Sequence, residues 1–252
     1  MKPDPSKDTD ALIVGAGVVG LACGYALATA GLRVIVIEAG PRIGEGVSAR
    51  NSEVIHAGLY YPTGSLRARL CVEGRRELYP FLDKHGVNYS RCGKLVVANG
   101  EAEIKALEKV FKQAEVNGVE GIEWLTDDEA CALEPALRCD VAILSRESGV
   151  MDSHGYMLAL QGEIENHGGS VVCDSPFAGA SAIAGGGWNV TIGDADRTTL
   201  STSILITAAG LEAQAVAAMI EGYPRYQIPP RHLGKGVYFR YVGKAPFQRL
   251  VY

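Results

Sequence analysis

The first forty residues alternate apolar runs with glycines in a strand, helix, strand pattern. "ALIVGAG" is a short apolar run ending in glycines, which predicts a buried parallel strand with a sharp turn. Small residues then recur every three to four positions up to Gly31, which predicts a helix packed closely on a sheet. "RVIVIEAG" predicts a second strand. Because glycines interrupt the stretch, a βαβ unit is favoured over a membrane span.

The pattern after residue 60 predicts further helices and strands. A long helix should begin after the N-cap Ser65 and end before Gly86. Its core-facing side should consist of the large apolar residues at helical spacing: Leu66, Leu70, Leu78, Phe81 and Leu82. "GKLVVA" predicts a strand, and an amphipathic helix should close at Gly118.

The second half of the chain predicts one capped helix, a strand-loop-helix and a group of strands. Thr126 and Glu129 have capping-box spacing, and Pro135 should stop the helix that they begin. A further helix should start at Asp152 or Ser153. Apolar strands separated by glycine-rich and polar turns then run to "SILITAAG".

Three glycines with G-x-G-x-x-G spacing lie at the first predicted turn: Gly15, Gly17 and Gly20. At the turn of a βαβ unit, such glycines permit the tight turn, the approach of backbone to a pyrophosphate and the packing of helix on sheet. The first-turn backbone amides, which we assign to Ala16, Val18 and Val19, would face the phosphates. A dinucleotide site is predicted, and the alternative is a βαβ unit whose glycines serve packing alone.

A single acidic residue, Glu38, ends the second predicted strand and is followed by Ala39. A carboxylate at this place can accept hydrogen bonds from both ribose hydroxyls of an adenosine. It would repel a 2'-phosphate, so NADP is disfavoured. The cradle fits NAD and FAD equally well.

Charge and cysteine usage exclude other classes of function. The formal net charge of -5 argues against nucleic acid as a partner, because phosphate binding needs a basic surface. The six cysteines form no C-x-x-C pair, which fits reduced thiols, and the polar N-terminus lacks the apolar segment of a secretion signal. We expect a cytoplasmic protein without a transmembrane segment and predict no metal site.

A polar loop follows the second predicted strand where an NAD dehydrogenase would continue with further βαβ repeats. Ser48, Arg50, Asn51 and Ser52 in this loop could approach a pyrophosphate or a flavin edge. His56 comes next within "VIHAGLYY". Its alternative role is a buried histidine that bonds to backbone.

Several segments resemble one family of flavoproteins. "SARNSEVIHAGLYYPTGSLRARLCVEG", "GKLVVA", "GVMDSHGYMLA", "ILITAAGLEA" and "GKGVYF" are similar to the L-2-hydroxyglutarate dehydrogenase/oxidase group of the FAD-dependent D-amino-acid-oxidase-like superfamily. The resemblance covers the chain from Ala11 to Tyr252. It implies an FAD enzyme that oxidises the secondary alcohol of a 2-hydroxy acid to the 2-oxo acid by hydride transfer to the flavin.

The resemblance also implies roles for individual residues. The segment containing Arg50, Asn51, Ser52 and His56 would run beside the flavin. The backbone around Phe177 would touch the adenine, although Phe177 could equally be a core residue. A second small-residue turn would lie near the pyrophosphate and is formed by Ala208, Ala209, Gly210 and Leu211. Thr207 stands where the family has asparagine.

Oxidation of a 2-hydroxy acid requires a base for the hydroxyl proton and a cation for the carboxylate. His56 is the candidate base, because imidazole titrates near neutral pH. It would lose that role if it carried the flavin covalently. Lys235 and Tyr61 are candidates for binding the carboxylate, and a surface lysine and a core tyrosine are the alternatives. Oxygen or a quinone would accept the electrons, and use of a quinone would favour peripheral binding to the inner membrane.

The resulting expectation is an α/β fold, with α+β character in the substrate part. A discontinuous Rossmann-like FAD-binding domain, residues 1–87 and 149–222, would alternate with a mixed-sheet substrate domain, residues 88–148 and 223–252. Relatives continue beyond "YFRYVGKAPFQRLVY", so the chain is expected to be truncated within a strand. The alternatives are a non-catalytic nucleotide-binding fragment, an NAD dehydrogenase, and an FAD oxidase of an amino acid or of glycerol 3-phosphate.

Overall fold

The computed structural model describes residues 3–193 and 196–252 as a mixed α/β protein. Its strands are β1 Thr9–Val14, β2 Val34–Ile37, β3 Val54–Ile55, β4 Tyr89–Ser90, β5 Lys94–Ala98, β6 Ile122–Thr126, β7 Val141–Ser145, β8 Gly149–Met151, β9 Ser170–Val172, β10 Phe177–Ala182, β11 Trp188–Ile192, β12 Thr198–Thr207 and β13 Leu250–Val251. Its α-helices are α1 Val18–Thr29, α2 Leu66–His85, α3 Gly100–Val116, α4 Asp127–Leu133, α5 Ser153–Asn166 and α6 Ala213–Ala218. The predicted polar turn after β11 includes Asp194 and Ala195, which lie outside the described residues.

The chain divides into two compact units, each made of two segments. The first unit comprises the residues up to Asn51 together with Ser153–Lys235, and the second comprises Ser52–Asp152 with Gly236–Tyr252. Residues 52–87 and 149–152, which the sequence assigned to the cofactor domain, lie in the second unit, where β3 and β4 both pair with β8. Residues 223–235, assigned to the substrate domain, lie in the first unit.

The first unit contains the predicted βαβ element within a six-stranded sheet of order β10-β11-β12-β1-β2-β9. Strands β12, β1, β2 and β9 are parallel, and β10, β11 and β12 form an antiparallel meander. Every residue of β1 is buried, as expected for a central parallel strand. Helix α1 packs against α5 at Gly24, where an added Cβ would lie 2.8 Å from the side chain of Ile164.

The second unit contains a four-stranded sheet of order β13-β5-β7-β6 and a three-stranded sheet of order β3-β8-β4. The alternation along β5 separates two hydrophobic clusters. Val96 and Ala98 pack in the cluster that contains Leu107 of α3, and Leu95 packs in the cluster that contains Ala130 of α4. Strand β13 pairs parallel with β5, so the chain ends in a strand as the sequence predicted.

Helix α2 has the predicted ends but a different buried face. The Ser65 hydroxyl accepts a hydrogen bond from the Ala68 amide, and Gly86 closes the helix with φ of +64°. Leu66 and Leu70 are 66% and 54% exposed, so this part of the predicted face is wrong, whereas Leu78 and Phe81 are half-buried and Leu82 is buried. The buried residues instead are Ala68, Val72, Arg75, Tyr79 and Leu82. Arg75 can be buried because Glu120 and Glu147 pair with its guanidinium.

The other predicted helix ends are confirmed. Helix α3 ends at Val116, and Gly118 beyond it has a left-handed backbone. Thr126 and Glu129 form the reciprocal hydrogen bonds of a capping box at α4, which ends at Leu133 before Pro135. Helix α5 begins at Ser153.

Candidate active site

The turn from β1 to α1 needs glycine at two positions for steric reasons. Gly15 has φ of +104°, and a Cβ there would lie 2.6 Å from the carbonyl oxygen of Ala208. A Cβ at Gly20 would lie 1.9 Å from the carbonyl oxygen of Gly15. Gly20 therefore allows α1 to pack against the turn that contains Gly15. The motif predicts that this glycine allows the helix to pack on the sheet, and the observed contact with the turn is closer.

The start of α1 is open to a ligand because its cap residue, Gly17, has no side chain. A Cβ at Gly17 would lie 3.0 Å from the Ser48 hydroxyl, which accepts a hydrogen bond from the Val18 amide at 3.0 Å. The first amides of a helix lack carbonyl partners within the helix and carry the positive end of its dipole. The Ser48 hydroxyl keeps its own proton to donate to an anion at this place.

The Glu38 carboxylate lies beside the same turn. One of its oxygens accepts a hydrogen bond from the Ala16 amide at 2.8 Å, and the other accepts one from the Gly40 amide at 2.9 Å. These two amides hold the carboxylate in place. Because each carboxylate oxygen can accept more than one hydrogen bond, Glu38 retains capacity for the hydroxyls of a ribose. Ala39, the residue between the two bonded positions, is exposed.

The structure brings the second small-residue turn against the first. The Ala208 amide donates a hydrogen bond to the Val14 carbonyl oxygen at 2.7 Å, and the methyl group of Ala208 would lie 3.4 Å from a Cβ at Gly20. A short 3-10 helix, Gly210–Glu212, follows Ala209, and the Leu211 side chain is 53% exposed. The two turns form one surface of small residues, which we name the glycine cradle: residues 15–20 and 208–210.

The remaining candidates of the first unit lie in three different settings. The Phe177 side chain is buried in the cluster that contains Leu12 and Val190, so its core role is observed. Arg50 is exposed and bonds to the Ala49 carbonyl oxygen. Asn51 donates a hydrogen bond to the Ser48 carbonyl oxygen at 2.6 Å, which ties the loop to the glycine cradle.

These residues fit the adenosine diphosphate half of FAD. The glycines leave room for backbone to approach phosphate oxygens, and an added Cβ at Gly17 would meet the Ser48 hydroxyl. The donor set is chemically suitable, because the amides and the Ser48 hydroxyl could donate to phosphate oxygens and the Glu38 carboxylate could accept from ribose hydroxyls.

His56 and Tyr61 lie in the second unit. His56 follows β3 at an exposed position, and partial desolvation of its ring, followed by the nearby charge of Lys94, lowers the pKa of His56. The imidazole is therefore neutral at neutral pH, as a base must be. The Arg67 guanidinium lies 5.5 Å from the ring centroid of Tyr61, and the backbone oxygen of Tyr61 accepts hydrogen bonds from Gln113 and Asn117.

Lys235 and Ser52 lie on exposed backbone. Lys235 is an exposed residue of the first unit, within a stretch that has no helix or strand. Ser52 is exposed at the start of the second unit. No contact of either side chain with another candidate residue is seen in the part of the chain that the structure describes.

Three side chains that the sequence did not single out surround Lys94, near His56. Lys94 begins β5 and is 6% exposed, and its ammonium lies 5.2 Å from the ring centroid of Tyr60 and 5.9 Å from that of Tyr252. The Cys71 thiol donates a hydrogen bond to the His56 carbonyl oxygen at 3.3 Å. The sequence signal that could have identified Lys94 is a lysine at an apolar position of the predicted "GKLVVA" strand.

Comparisons with known proteins agree with this geometry. The profile of the DAO family, described as "FAD dependent oxidoreductase", matches residues 10–250. The chain is 35% identical to L-2-hydroxyglutarate dehydrogenase, mitochondrial, of Arabidopsis thaliana, over 96% of this chain and 56% of that protein. It is 37% identical to the protein of the same name from Caenorhabditis elegans, over 83% and 49%. The chain thus spans about half the length of the curated relatives that it matches.

The fold is also similar to solved structures. L-alpha-glycerophosphate oxidase from Mycoplasma pneumoniae, solved with FAD bound, superposes with a TM-score of 0.77 at 25% identity, over 88% of this chain and 58% of that one. Glycine oxidase from Geobacillus kaustophilus gives 0.71 at 24%, over 84% and 58%. In the described residues, no helix combines the length and apolar character that crossing a bilayer requires.

Proposed function

We propose that this chain, which belongs to the DAO family of FAD-dependent oxidoreductases, oxidises a small 2-hydroxy acid such as L-2-hydroxyglutarate to the 2-oxo acid. The α/β fold and the FAD-dependent family that the sequence predicts are confirmed. The observation that carries the proposal is the glycine cradle with Glu38 at its edge, because it provides the cofactor site on which such an oxidation depends. The names of the relatives support the choice of substrate.

The residues that would hold FAD are those of the glycine cradle and its rim. The predicted Ala16 and Val18 amides already donate to Glu38 and Ser48. The amides of Gly17 and Val19, with the Ser48 hydroxyl, would therefore bind the pyrophosphate, and Glu38 would bind the ribose hydroxyls. Arg50, Asn51 and Ser52 remain candidates for the flavin edge, and the backbone near Phe177 for the adenine. When bound, FAD supplies a hydride acceptor.

His56 would remove the hydroxyl proton of the substrate. A ring nitrogen of the neutral imidazole would accept that proton, and the hydrogen on the hydroxyl-bearing carbon would depart as a hydride. The lowered pKa of His56 keeps this nitrogen unprotonated at neutral pH. Tyr61 and Lys235 remain proposed ligands of the substrate carboxylate. The electron acceptor is proposed to be oxygen or a quinone, at a cytoplasmic or peripheral inner-membrane location.

A second candidate substrate is glycerol 3-phosphate. It is favoured by the fold similarity to an L-alpha-glycerophosphate oxidase that has FAD bound. This substrate also presents an alcohol for oxidation beside an anionic group. The same cradle and the same base would serve both substrates, so a substrate panel must separate them.

The visible spectrum of the purified protein tests the proposal. We expect a yellow protein, or a colourless one that takes up added FAD, and anaerobic bleaching by L-2-hydroxyglutarate but not by L-lactate, glycerol 3-phosphate or D-amino acids. Failure to bind FAD would favour the non-catalytic fragment, and bleaching by glycerol 3-phosphate alone would favour the second candidate. Yellow colour that stays with acid-precipitated protein would show covalent flavin and would require a new assignment for His56 if that residue carried it.

A further inference from the structure

Among the described residues, Lys94 differs from the other buried charged residues because no carboxylate pairs with it. Asp10 pairs with Arg33 at 2.9 Å, Arg75 pairs with Glu147 at 2.6 Å, and Glu134 pairs with Arg249 at 3.2 Å. Within the described ranges, the Lys94 ammonium instead contacts two tyrosine rings. Cation–π contacts of this kind stabilise an ammonium by less than the cost of desolvating it.

The groups around Lys94 do not provide the missing negative charge. Burial raises the pKa of the Cys71 thiol and of the Tyr60 phenol, so both are neutral at physiological pH. His56 carries no negative charge in either protonation state. Tyr252 contributes its ring, which lies 5.7 Å from the ring of Tyr60. Burial also lowers the pKa of Lys94 itself, and none of these described neighbours supplies a counter-charge for its ammonium.

A second unsatisfied group lies in the same cluster. The Tyr60 hydroxyl is buried and has no hydrogen-bond partner in the described residues. A buried hydroxyl without a hydrogen-bond partner destabilises the folded protein. One bound anion would supply both a counter-charge for Lys94 and an acceptor for Tyr60.

We propose that Lys94 and Tyr60 form an anion subsite that binds the carboxylate adjacent to the alcohol of the 2-hydroxy acid. The choice of a carboxylate rests on the proposed function. The position of His56 supports this choice of carboxylate, because the nearby charge of Lys94 contributes to lowering the pKa of the His56 ring. A carboxylate bound at Lys94 would therefore place the neighbouring hydroxyl toward the candidate base. Lys94 and Tyr60 are thus proposed as substrate-binding residues, in addition to Tyr61 and Lys235.

The alternative is that Lys94 is structural, and the two roles predict opposite effects of one substitution. Lys94→Met keeps most of the apolar stem and removes the charge. Because a buried charge without a partner destabilises the fold, this variant should melt at the same or a higher temperature than the wild type. If Lys94 binds substrate, the same variant should bind acids poorly.

The test compares Lys94→Met, Lys94→Arg and Tyr60→Phe in FAD-loaded protein, with Lys109→Met on the exposed side of α3 as the matched control. Calorimetric binding of 2-oxoglutarate is measured beside KM and kcat for L-2-hydroxyglutarate. We expect Lys94→Met to weaken 2-oxoglutarate binding and raise KM by about 10- to 100-fold, and Tyr60→Phe to do so by about 2- to 10-fold. Lys94→Arg should recover part of the lost affinity, and Lys109→Met should change neither quantity. Wild type should prefer 2-oxoglutarate to its dimethyl ester, and Lys94→Met should reduce that preference.

A measurement on the wild type covers the case in which a variant fails to fold. Acylation of Lys94 by an amine reagent, followed by mass spectrometry, should slow when 2-oxoglutarate is bound, and acylation of Lys109 should not. Unchanged acylation, or wild-type binding in Lys94→Met, overturns the subsite.

If wild type binds 2-oxoglutarate through Lys94 but L-2-hydroxyglutarate does not bleach the flavin, the proposed function fails and the subsite stands. If bleaching occurs with an unchanged KM in Lys94→Met, the subsite alone fails.

Discussion

The two candidate sites are built from different parts of the polypeptide. In the first unit, the glycine cradle consists of backbone amides, positions where a Cβ has no room, and one carboxylate that backbone amides hold. In the second unit, His56, Tyr60 and Lys94 are proposed to act through their side chains, and burial shifts the pKa of each. Substitutions in the cradle should therefore change the affinity for FAD, and substitutions near His56 should change the reaction rate and the affinity for substrate.

The largest expected effect is that of a single methyl group in the cradle. Gly20→Ala places a Cβ against the Gly15 carbonyl oxygen, so α1 must move away from the turn. We expect a loss of about 3 kcal/mol in the free energy of unfolding and loss of FAD binding, measured by denaturant unfolding and flavin absorbance. The control is Gly162→Ala in α5, where an added Cβ meets no atom within 4 Å and should stabilise the protein by up to about 1 kcal/mol. Equal effects of the two substitutions would contradict the steric argument.

Removal of the candidate base should leave the cofactor in place. His56→Asn should lower kcat about 100- to 10,000-fold with an unchanged flavin spectrum, because the proton acceptor is lost. His154→Asn, at an exposed position of α5, is the control and should retain activity. A coupled loss of FAD and activity in His56→Asn would place this residue with the cofactor instead.

The pH dependence of the wild type sharpens the same assignment. Because the pKa of His56 lies below its ordinary value of about 6.5, kcat/KM should be level at neutral pH and fall only as the pH drops below that value. The acidic limb should be absent in His56→Asn. An acidic limb centred above pH 7 would identify a different base.

The Glu38 carboxylate at the edge of the cradle should affect the affinity for FAD and not the rate of the chemical step. Glu38→Gln keeps the side-chain length but removes the charge that accepts hydrogen bonds from Ala16 and Gly40. We expect FAD to bind about 10- to 100-fold more weakly, with a normal kcat at saturating FAD. Glu45→Gln, which removes an exposed carboxylate paired with Arg42, should bind FAD normally. Fluorescence titration of the apoprotein with FAD measures both.

The sequence predicted features that are local along the chain. The G-x-G-x-x-G turn, the Ser65 cap and the capping box of Thr126 each depend on residues a few positions apart, and the structure has all three. The buried face of α2 could not be predicted in this way, because burial of Arg75 depends on Glu120 and Glu147, which are 45 and 72 positions away. Burial of Lys94 depends likewise on β13 pairing with β5, which places Tyr252 over the ammonium.

The smallest expected effect concerns the one cradle contact that is made by a hydroxyl. Ser48→Ala removes the acceptor of the Val18 amide but leaves that amide free to bind a phosphate oxygen directly, so part of the loss should be recovered in the complex. We expect FAD affinity to fall about 2- to 10-fold, measured by the same titration, with Ser170→Ala on exposed β9 as the control. A loss larger than that of Glu38→Gln would mean that the Ser48 hydroxyl donates to the pyrophosphate as a principal ligand. A change in kcat at saturating FAD would instead show that the loop around Ser48 also positions the reacting groups, and the separation between a cofactor-binding unit and a chemical unit would no longer hold.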